Sequence, residues 1–332
     1  MFWTVPGRAR PSIVEVWAPA RIHVTAIAGA GGRLDGGVGL AVDAPAVRLA
    51  IEDAERFGCA GAADPDEAEL VAVEVKEAAA ALGLPDAVHV RVRSVIPAGR
   101  GLGAHTQLRL AVRSALAELN GRRPAADPGP GGTGIGAQLF RHGGIVVTGG
   151  RRGPGRGAEE CSPPPTLYAG RPPDHWRLVL AVPRLPAAEP PAACPGGNRI
   201  PAAELHEISH LVLMTLLPAL ADGDLPAFGA TLTRLQELGR TRRHWARPAL
   251  RGRRAVLDAL TGAGAAGGGL SRTGPALYAV YDAARTDGAD LLARTRARCA
   301  RLGVELESLG TAAFAGPARV DLPLGAGSPD PP

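Results

Sequence analysis

Residues 97–107, with the sequence PAGRGLGAHTQ, are the clearest candidate for chemistry. They follow an alternating stretch that predicts a strand and precede a stretch with helical periodicity. Glycines let a backbone approach a ligand closely, and a helix start presents unpaired N–H groups at the positive end of its dipole. The loop therefore predicts a phosphate or diphosphate site; the alternative is a tight strand-to-helix turn without a ligand. It matches neither a Walker A loop nor a dinucleotide fingerprint, because no GK[ST] follows and the glycine spacing differs.

Three further loops could bring polar groups to the same ligand. Residues 33–39 carry Asp35 among glycines, where a carboxylate could hold a sugar hydroxyl or magnesium, or favour a hairpin turn. Residues 131–136 (GGTGIG) form a second backbone-rich loop or a linker. Residues 271–275 (SRTGP) offer hydroxyls to phosphate oxygens and a guanidinium to a carboxylate, or form an ordinary loop.

The histidines allow two interpretations each. His206 and His210 belong to a literal HExxH match, HEISH, but a zinc protease needs a third ligand and none is evident downstream. A solvated or partly buried helix face is the favoured interpretation. His23 lies on a predicted strand beside the glycine-rich turn, where it could enter a site or remain in the core. A basic cluster could be solvated or could dock a substrate carboxylate: Arg240, Arg242, Arg243 and His244.

Alternating strands and helices must position these loops. Strands are predicted at residues 12–24, 40–51, 88–95, 144–148, 176–182 and 304–309, the last being the final strand. Helices are predicted at residues 64–82, from the glycine loop to about 121, and at 135–140, 202–238 with a break at 222–224, 247–260 and 287–302. A turn is predicted at 29–39 and a loop at 149–173, and the Gly/Ala run at 262–269 is followed by a loop that leads into a strand. A first domain is expected at 1–175, a second at 176–320 and a disordered tail at 321–332.

The composition is that of a globular protein, and it favours neither a nucleic-acid partner nor a membrane protein. The chain has 332 residues, 45% of them hydrophobic, with a net charge of +5. Lys76 is the only lysine, and the arginines are not interleaved with aromatic residues, so we expect no nucleic-acid partner. The longest apolar run, residues 211–221, is too short to span a bilayer. Residues 1–10 lack the apolar core of a signal peptide, and the four dispersed cysteines suit a reducing cytoplasm.

Six segments occur in an order that resembles one enzyme family. They are APARIHVTAI, RLDGGVGLAVDAP, IPAGRGLGAHTQLRLAV, GGTGIGAQLFRHGGIVVTGG, EISHLVLMTLLPALADGDLPAFGATLTRLQELG and GLSRTGPALYAV. The series resembles the β-ribofuranosylaminobenzene 5′-phosphate synthases and covers nearly the whole chain. The resemblance implies an α/β (α+β) architecture with the GHMP-kinase fold, in which two-layer sandwich halves enclose a ligand cleft. It also implies that HEISH lies on an ordinary helix of that fold.

The resemblance implies a decarboxylating phosphoribosyltransferase that does not transfer phosphate from ATP. Such an enzyme joins 5-phosphoribosyl 1-diphosphate to a ring carbon of 4-aminobenzoate, with loss of CO2 and diphosphate. The chain also resembles the C-nucleoside synthases of formycin- and pyrazofurin-type pathways, whose acceptor is an aminopyrazole carboxylate. The Arg- and Ala-rich composition is typical of a GC-rich genome, which suits an antibiotic-making bacterium better than a methanogen and therefore favours this second group. Rival hypotheses are a small-molecule kinase of the same fold, a non-catalytic binding protein and a zinc hydrolase.

The resemblance also implies roles for the residues in these loops. Phosphate and diphosphate are expected at Gly99, Arg100, Gly101, Gly103, His105, Thr106 and Gln107. Catalytic roles are expected for Asp35, His23 and Arg272, and substrate binding for Arg33, Gly36, Gly37, Thr133, Gly134, Ser271 and Thr273. Mg²⁺ is the expected cofactor and a homodimer the expected assembly. Two departures concern the acceptor: the GGTGIG loop lacks the usual basic residue and serine, and Thr148 stands where the family often has aspartate.

Overall fold

A computed structural model describes residues 11–27, 33–34, 36–122, 134–152, 164–184, 200–245, 251–271 and 274–321. Within these ranges the chain forms a mixed α/β structure with two main β-sheets and helices packed on them. This architecture confirms the predicted α/β class. Among the helices described, none combines the length and apolarity that a bilayer crossing requires.

The first sheet is built around two long antiparallel strands, β1 (Ile13–Ile27) and β3 (Gly36–Asp53). The short strand β2 (Arg33–Leu34) lies between them in sequence and pairs with β7 (Arg151–Arg152) in a separate ribbon. The other strands of the first sheet are β4 (Gly58–Ala60), β5 (Val88–Ser94), β6 (Ile145–Thr148), β8 (Thr166–Gly170) and β13 (Arg319–Asp321). Their order is β13-β1-β3-β5-β4, with β6 on β3 and β8 on β6.

Alternation along β1 separates a core face from a polar face. The even positions from Val14 to Val24 are buried and apolar, and they join the main hydrophobic core. Near the carboxyl end of the strand, Arg21 and His23 share the opposite face, and a register shift between His23 and Thr25 pairs Thr25 with the core residue Val38. Because side chains on a strand alternate with a period of two, the pattern up to this shift places Arg21 and His23 side by side.

Three helices cover the first sheet: α1 (Pro65–Leu82), α2 (Ala104–Leu119) and α3 (Ile135–His142). Helix α1 begins where predicted, since Asp64 accepts a hydrogen bond from Glu67 N at 2.8 Å, and it ends at Gly83 in a left-handed conformation. A buried ion pair of 2.8 Å between Glu74 and Arg109 joins α1 to α2. These contacts fix the helix that follows the glycine loop.

The second sheet has the order β10-β11-β9-β12. Its strands are β9 (Trp176–Pro183), β10 (Gly267–Leu270), β11 (Leu277–Asp282) and β12 (Leu306–Ala313). The helices of this half are α4 (Ala202–Leu211), α5 (Leu217–Asp222), α6 (Leu225–Leu235), α7 (Gly239–Trp245), α8 (Arg251–Gly262) and α9 (Gly288–Arg301), with a π-helical segment, Val212–Leu216, before α5. Trp176 packs on Phe228 with ring centroids 5.1 Å apart.

The structure corrects several sequence predictions. Residues 36–39, predicted as part of a glycine-rich turn, belong to β3, and the Gly/Ala run contains the start of β10 at residues 267–269. A Cβ at Gly39 would lie 2.6 Å from Ile135 Cγ1, and one at Gly269 would lie 2.1 Å from the Gln236 side chain. Glycine at these positions therefore leaves room for α3 to pack on β3 and for Gln236 to pack on β10. The predicted loop at 149–173 contains β7 and β8. Strand β12 is not the final strand, because β13 follows it and returns to the first sheet.

The remaining boundary predictions have mixed outcomes. The break in the helical region at residues 222–224 is confirmed, with Gly223 in a left-handed conformation between α5 and α6. Of the helix predicted at 247–260, the structure describes α8 from Arg251 onward. Asp321, assigned to the tail, is the last residue of β13, and residues 322–332 lie outside the described residues. The domain division between residues 175 and 176 stays a prediction.

Gln236, just after α6, connects the two sheets through a buried amide that is 1% exposed. Its Nε2 donates to Val24 O of β1 at 3.4 Å, and its Oε1 accepts from Leu270 N of β10 at 3.0 Å. The indole of Trp245 donates to the same oxygen at 3.3 Å. Since buried backbone groups are costly when unpaired, this one side chain links β1 of the first sheet to β10 of the second.

We expect Gln236→Leu to destabilise the protein by about 2 to 4 kcal/mol, because it leaves a buried N–H and a buried C=O without partners. Urea denaturation monitored by circular dichroism measures this change in the free energy of unfolding. The matched control is Lys76→Gln on an exposed face of α1, which should alter stability by less than about 0.5 kcal/mol. Equal stability of both variants would contradict the role of Gln236.

Candidate functional site

The glycine loop ends in a helix start that is open to an anion. Gly99, Gly101 and Gly103 have φ of +71°, +79° and +86°, in the left-handed region that favours glycine. Gly103 is the N-cap of α2 and provides no side-chain cap, and the first turn of the helix contains no acidic residue. The first N–H groups of α2 therefore combine with the positive end of its dipole, which is the physical basis of phosphate binding at a helix start.

A second uncapped helix start meets the first. Gly134, in extended backbone, is the N-cap of α3 without a side-chain cap, and the first turn of α3 also lacks acidic residues. Gln107 Nε2 donates to Gly136 O at 3.0 Å, and a Cβ on Gly136 would lie 2.9 Å from the Thr106 methyl group. The Oε1 of buried Gln107 has no hydrogen-bond partner among the residues that the structure describes. The first turns of the two helices, each at the positive end of its dipole, therefore lie next to each other.

Arg21 lies between these two helix starts, and sequence reasoning missed it. Its side chain is 7% exposed, and a Cβ on Gly103 would lie 2.8 Å from Arg21 Nε. A Cβ on Gly136 would lie 3.4 Å from Arg21 Cδ, and Arg21 N donates to Leu102 O at 2.8 Å. The available signal was the alternation of β1, which puts a buried arginine on the face that also carries His23.

Ser271 and Gly274 join the glycine loop to the second sheet. The Ser271 hydroxyl donates to Gly101 O at 2.8 Å and accepts from His23 N at 3.2 Å. A Cβ on Gly101 would lie 2.7 Å from Ser271 O and 2.8 Å from Gly274 Cα, so the two segments touch backbone to backbone. Ala276 N also donates to Arg100 O at 3.2 Å. The predicted loops at 97–107 and 271–275 therefore meet at one place.

Two of the predicted phosphate-binding side chains pair with carboxylates instead of lining the loop. Arg100 forms a salt bridge with Glu307 of β12, with Nη2 2.6 Å from Oε1. His105 Nδ1 lies 3.8 Å from the buried carboxylate of Glu74, and the His105 side chain is 65% exposed. In this structure the groups that the loop offers to an anion are therefore its backbone N–H groups more than its charged side chains.

The predicted sugar region lies at the carboxyl end of β1 and the start of β3. His23 Nε2 is 3.1 Å from Thr25 O and 3.2 Å from the position of a Cβ on Gly37. Gly37 N donates to the Thr148 hydroxyl at 3.2 Å, so Thr148 provides an acceptor where the family often has aspartate. Arg33 Nη1 donates to Gly150 O at 2.8 Å. Gly36 is also enclosed, since a Cβ there would lie 2.6 Å from Ile27 O.

Four predicted site residues lie outside the described residues: Asp35, Thr133, Arg272 and Thr273. Across the described ranges there is no group of three His, Cys, Asp or Glu side chains that could hold a metal ion. The described side chains therefore supply no magnesium cage, and a role for Asp35 stays a prediction. The HExxH match lies on α4, where Glu207 forms a salt bridge of 2.5 Å with Arg234. That carboxylate belongs to an ion pair on the protein surface, which disfavours a zinc hydrolase.

A second basic side chain that sequence reasoning missed is Arg253 of α8. It is 7% exposed, and its Nη1 donates to Gly274 O at the long distance of 3.5 Å. Its Nε is buried and has no hydrogen-bond partner in the described ranges. Burial lowers the pKa of the Arg253 guanidinium to about 10, so the group still carries its charge at neutral pH. The sequence showed only one arginine among many in this region.

Solved structures with the same architecture define the class of fold. A homoserine kinase from Cytophaga hutchinsonii superposes with a TM-score of 0.64 and 17% identity, covering 96% of this chain and 100% of that one. A mevalonate diphosphate decarboxylase from Staphylococcus aureus gives 0.62 and 11% identity, covering 93% and 98%. The chain therefore has the GHMP-kinase fold, as the sequence resemblance predicted.

Sequence relatives define the family more narrowly, although no protein-family model matches the chain. A β-ribofuranosylphenol 5′-phosphate synthase from Methanothermobacter thermautotrophicus is 32% identical over 294 residues, covering 80% of this chain and 87% of the relative. A protein of the same name from Archaeoglobus fulgidus is 35% identical over 293 residues, covering 81% and 88%. This chain belongs to that family of ribosyl phosphate synthases.

We expect Gly101→Ala to destabilise the protein by about 2 to 4 kcal/mol, because its Cβ would overlap the Ser271–Gly274 backbone in a left-handed conformation. Thermal and urea unfolding measure the loss. The control is Gly252→Ala in α8, where a Cβ meets no atom within 4 Å and alanine should be neutral or stabilising. Wild-type stability of the Gly101 variant would show that the two segments do not need their close contact.

Proposed function

We propose that this protein is a C-glycosidic ribosyltransferase. It joins 5-phosphoribosyl 1-diphosphate to a ring carbon of an amino-substituted aromatic or heteroaromatic carboxylate, and it releases CO2 and diphosphate. The observation that carries the proposal is the convergence of two uncapped helix starts on Arg21 in a chain of this family. This arrangement favours a ligand that carries concentrated negative charge, as a diphosphate does.

The electrostatics of the site suit diphosphate departure. Charge develops on the leaving diphosphate as the bond between sugar C1 and oxygen breaks, and fixed N–H dipoles stabilise developing charge without reorganisation. The starts of α2 and α3 supply such dipoles, and Arg21 adds a full positive charge between them. The contact between Gly101 and Gly274 holds the loop at a fixed distance from the second sheet. The chain's own part in this step is therefore to bind and orient the diphosphate.

The proposed ring chemistry needs no strong general base. An amino group conjugated with the reacting carbon pushes electron density into that carbon; it is para to that carbon in 4-aminobenzoate and on the adjacent ring carbon in 4-aminopyrazole-3,5-dicarboxylate. The reacting carbon forms a bond to the cation-like C1 while the C1–O electron pair leaves with diphosphate. The bond between the ring and its carboxylate then breaks, and its electron pair returns to the ring while CO2 departs. Aromaticity is restored without removal of a ring proton.

We favour an aminopyrazole dicarboxylate as the acceptor, as in C-nucleoside antibiotic biosynthesis, and 4-aminobenzoate is the alternative. The curated relatives are named for a ribofuranosylphenol product, so 4-hydroxybenzoate is a third acceptor to test. A para hydroxyl group donates electron density in the same way as a para amino group. The substitution of Thr148 for the usual aspartate, beside Gly37, supports an acceptor different from that of the archaeal relatives.

We further propose that Mg²⁺ enters the site bound to the diphosphate of the substrate. Magnesium is commonly held by substrate phosphates together with only one or two carboxylates, and Asp35 is the candidate carboxylate. When bound, the ion would neutralise part of the diphosphate charge. A cytoplasmic location, a homodimer and the absence of a nucleic-acid partner remain predictions from the sequence.

Mass spectrometry of incubations with phosphoribosyl diphosphate and magnesium tests the function. Each acceptor is supplied separately with a ¹³C-labelled carboxylate: 4-aminopyrazole-3,5-dicarboxylate, 4-aminobenzoate and 4-hydroxybenzoate. We expect labelled CO2 and a ribosylated product that lacks one carboxylate, with the pyrazole preferred. Chelation of magnesium should stop turnover.

The controls omit phosphoribosyl diphosphate or replace it with ATP. Product from a benzoate alone would reassign the acceptor and keep the reaction class. No ribosylated product from any acceptor, together with ATP-dependent phosphorylation of a small alcohol such as homoserine, would replace the proposal with a kinase of the same fold.

A further inference from the structure

Arg253 is a buried cation without a countercharge in the described part of the chain. Among the described residues, its guanidinium has one hydrogen bond, to Gly274 O at 3.5 Å, and its Nε has no partner. No carboxylate within the described ranges lies at ion-pair distance from it. Burying a charge is strongly unfavourable unless a partner compensates it, so this position calls for an explanation.

The position of Arg253 connects it to the glycine loop. The carbonyl that it contacts belongs to Gly274, and Gly274 touches Gly101 backbone to backbone. The next residue, Arg254, behaves differently: its side chain is 46% exposed, lies 3.6 Å from Glu237 and sits over the Trp245 ring. Of these two adjacent arginines on α8, one is paired at the surface and the other is buried at the site.

We propose that the Arg253 guanidinium binds an oxyanion of the substrate, a phosphate or a carboxylate, beside the contact between Gly101 and Gly274. The planar fork of N–H donors matches both groups and can bind either with two hydrogen bonds. The assignment rests on the proposed function, because both proposed substrates are anionic. The bound substrate then supplies the countercharge that the described part of the chain does not.

A structural role and a ligand-binding role for Arg253 predict different effects of its replacement on stability. If Arg253 served the fold by donating to Gly274 O, its replacement by methionine would lower the Tm of the ligand-free protein. If Arg253 is a buried charge that only a ligand neutralises, its replacement by methionine, which has a similar length, should leave the Tm of the ligand-free protein unchanged or raise it. The ligand-free Tm and the affinity for anions must therefore be measured on the same variants.

The experiment compares wild type, Arg253→Met, Arg253→Lys and the matched control Arg254→Met. Calorimetry and thermal shift are recorded with phosphoribosyl diphosphate, inorganic diphosphate, ribose 5-phosphate and 4-aminobenzoate. We expect Arg253→Met to keep its ligand-free Tm and to lose roughly 10- to 100-fold in affinity for at least one anion, the range expected when a charge-assisted hydrogen bond is removed. Arg254→Met should bind like wild type.

The affected probe identifies the source of the oxyanion. If Arg253→Met loses affinity for both phosphoribosyl diphosphate and inorganic diphosphate, Arg253 binds the diphosphate. If it loses affinity for ribose 5-phosphate, Arg253 binds the 5′-phosphate. If it loses affinity for aminobenzoate, Arg253 binds the acceptor carboxylate. If Arg253→Met does not fold, Arg253→Lys decides: weak binding in that folded variant supports the proposal, and wild-type binding overturns it.

Two outcomes would overturn the assignment, and they are distinct. Wild-type affinity of Arg253→Met for every anion, or an equal loss in Arg254→Met, removes Arg253 from the site and leaves the ribosyltransferase proposal intact. Failure of the wild-type protein to bind any of the four probes removes the proposed function and the oxyanion site with it.

Discussion

The close backbone contact between Gly101 and Gly274 is the constraint on which the site depends. A side chain at Gly101 would overlap the turn after β10, so glycine is required for the loop before α2 to reach the second sheet. The Ser271 hydroxyl reinforces this contact by bridging Gly101 O and His23 N. A loop from the first sheet, a strand from its centre and a turn from the second sheet thus share one junction. The position of the α2 start relative to β1 follows from that junction.

Positive potential is the common property of the groups that surround this junction. The starts of α2 and α3 present unpaired N–H groups without acidic residues in their first turns, and Arg21 lies between them. Arg253 adds a buried charge from the other side of Gly274. Fixed dipoles and buried cations are most effective where water is excluded, because the effective dielectric constant is low. Kinases share this fold, so a chemistry that differs from theirs must come from the side chains and loops of the site and not from the fold.

One residue at the edge of the site, Thr148, departs from the pattern common in the family. Thr148 satisfies the Gly37 N–H with a neutral hydroxyl, and this keeps the β3–β6 pairing while removing a negative charge that the family often has there. A less negative site would hold an acceptor with two carboxylates more favourably than one with a single carboxylate. The same sheets and helices could therefore serve a different acceptor through a few side chains near the glycine-rich strands.

The sequence by itself determined the local elements and the fold class. Capping at Asp64, the alternation of residues 88–94 and the glycine-rich start of α2 each specify their conformation through nearby residues alone, so the predictions of α1, β5 and α2 are confirmed. The sequence predicts a turn at the glycines of residues 36–39 and does not reveal the strand at residues 267–269, because both strands depend on α3 and Gln236 packing against them. Arg21 and Arg253 were not found, and Arg100 and His105 were expected to line the loop but pair with carboxylates. Such pairings depend on burial and on distant partners, and only the tertiary structure brings those together.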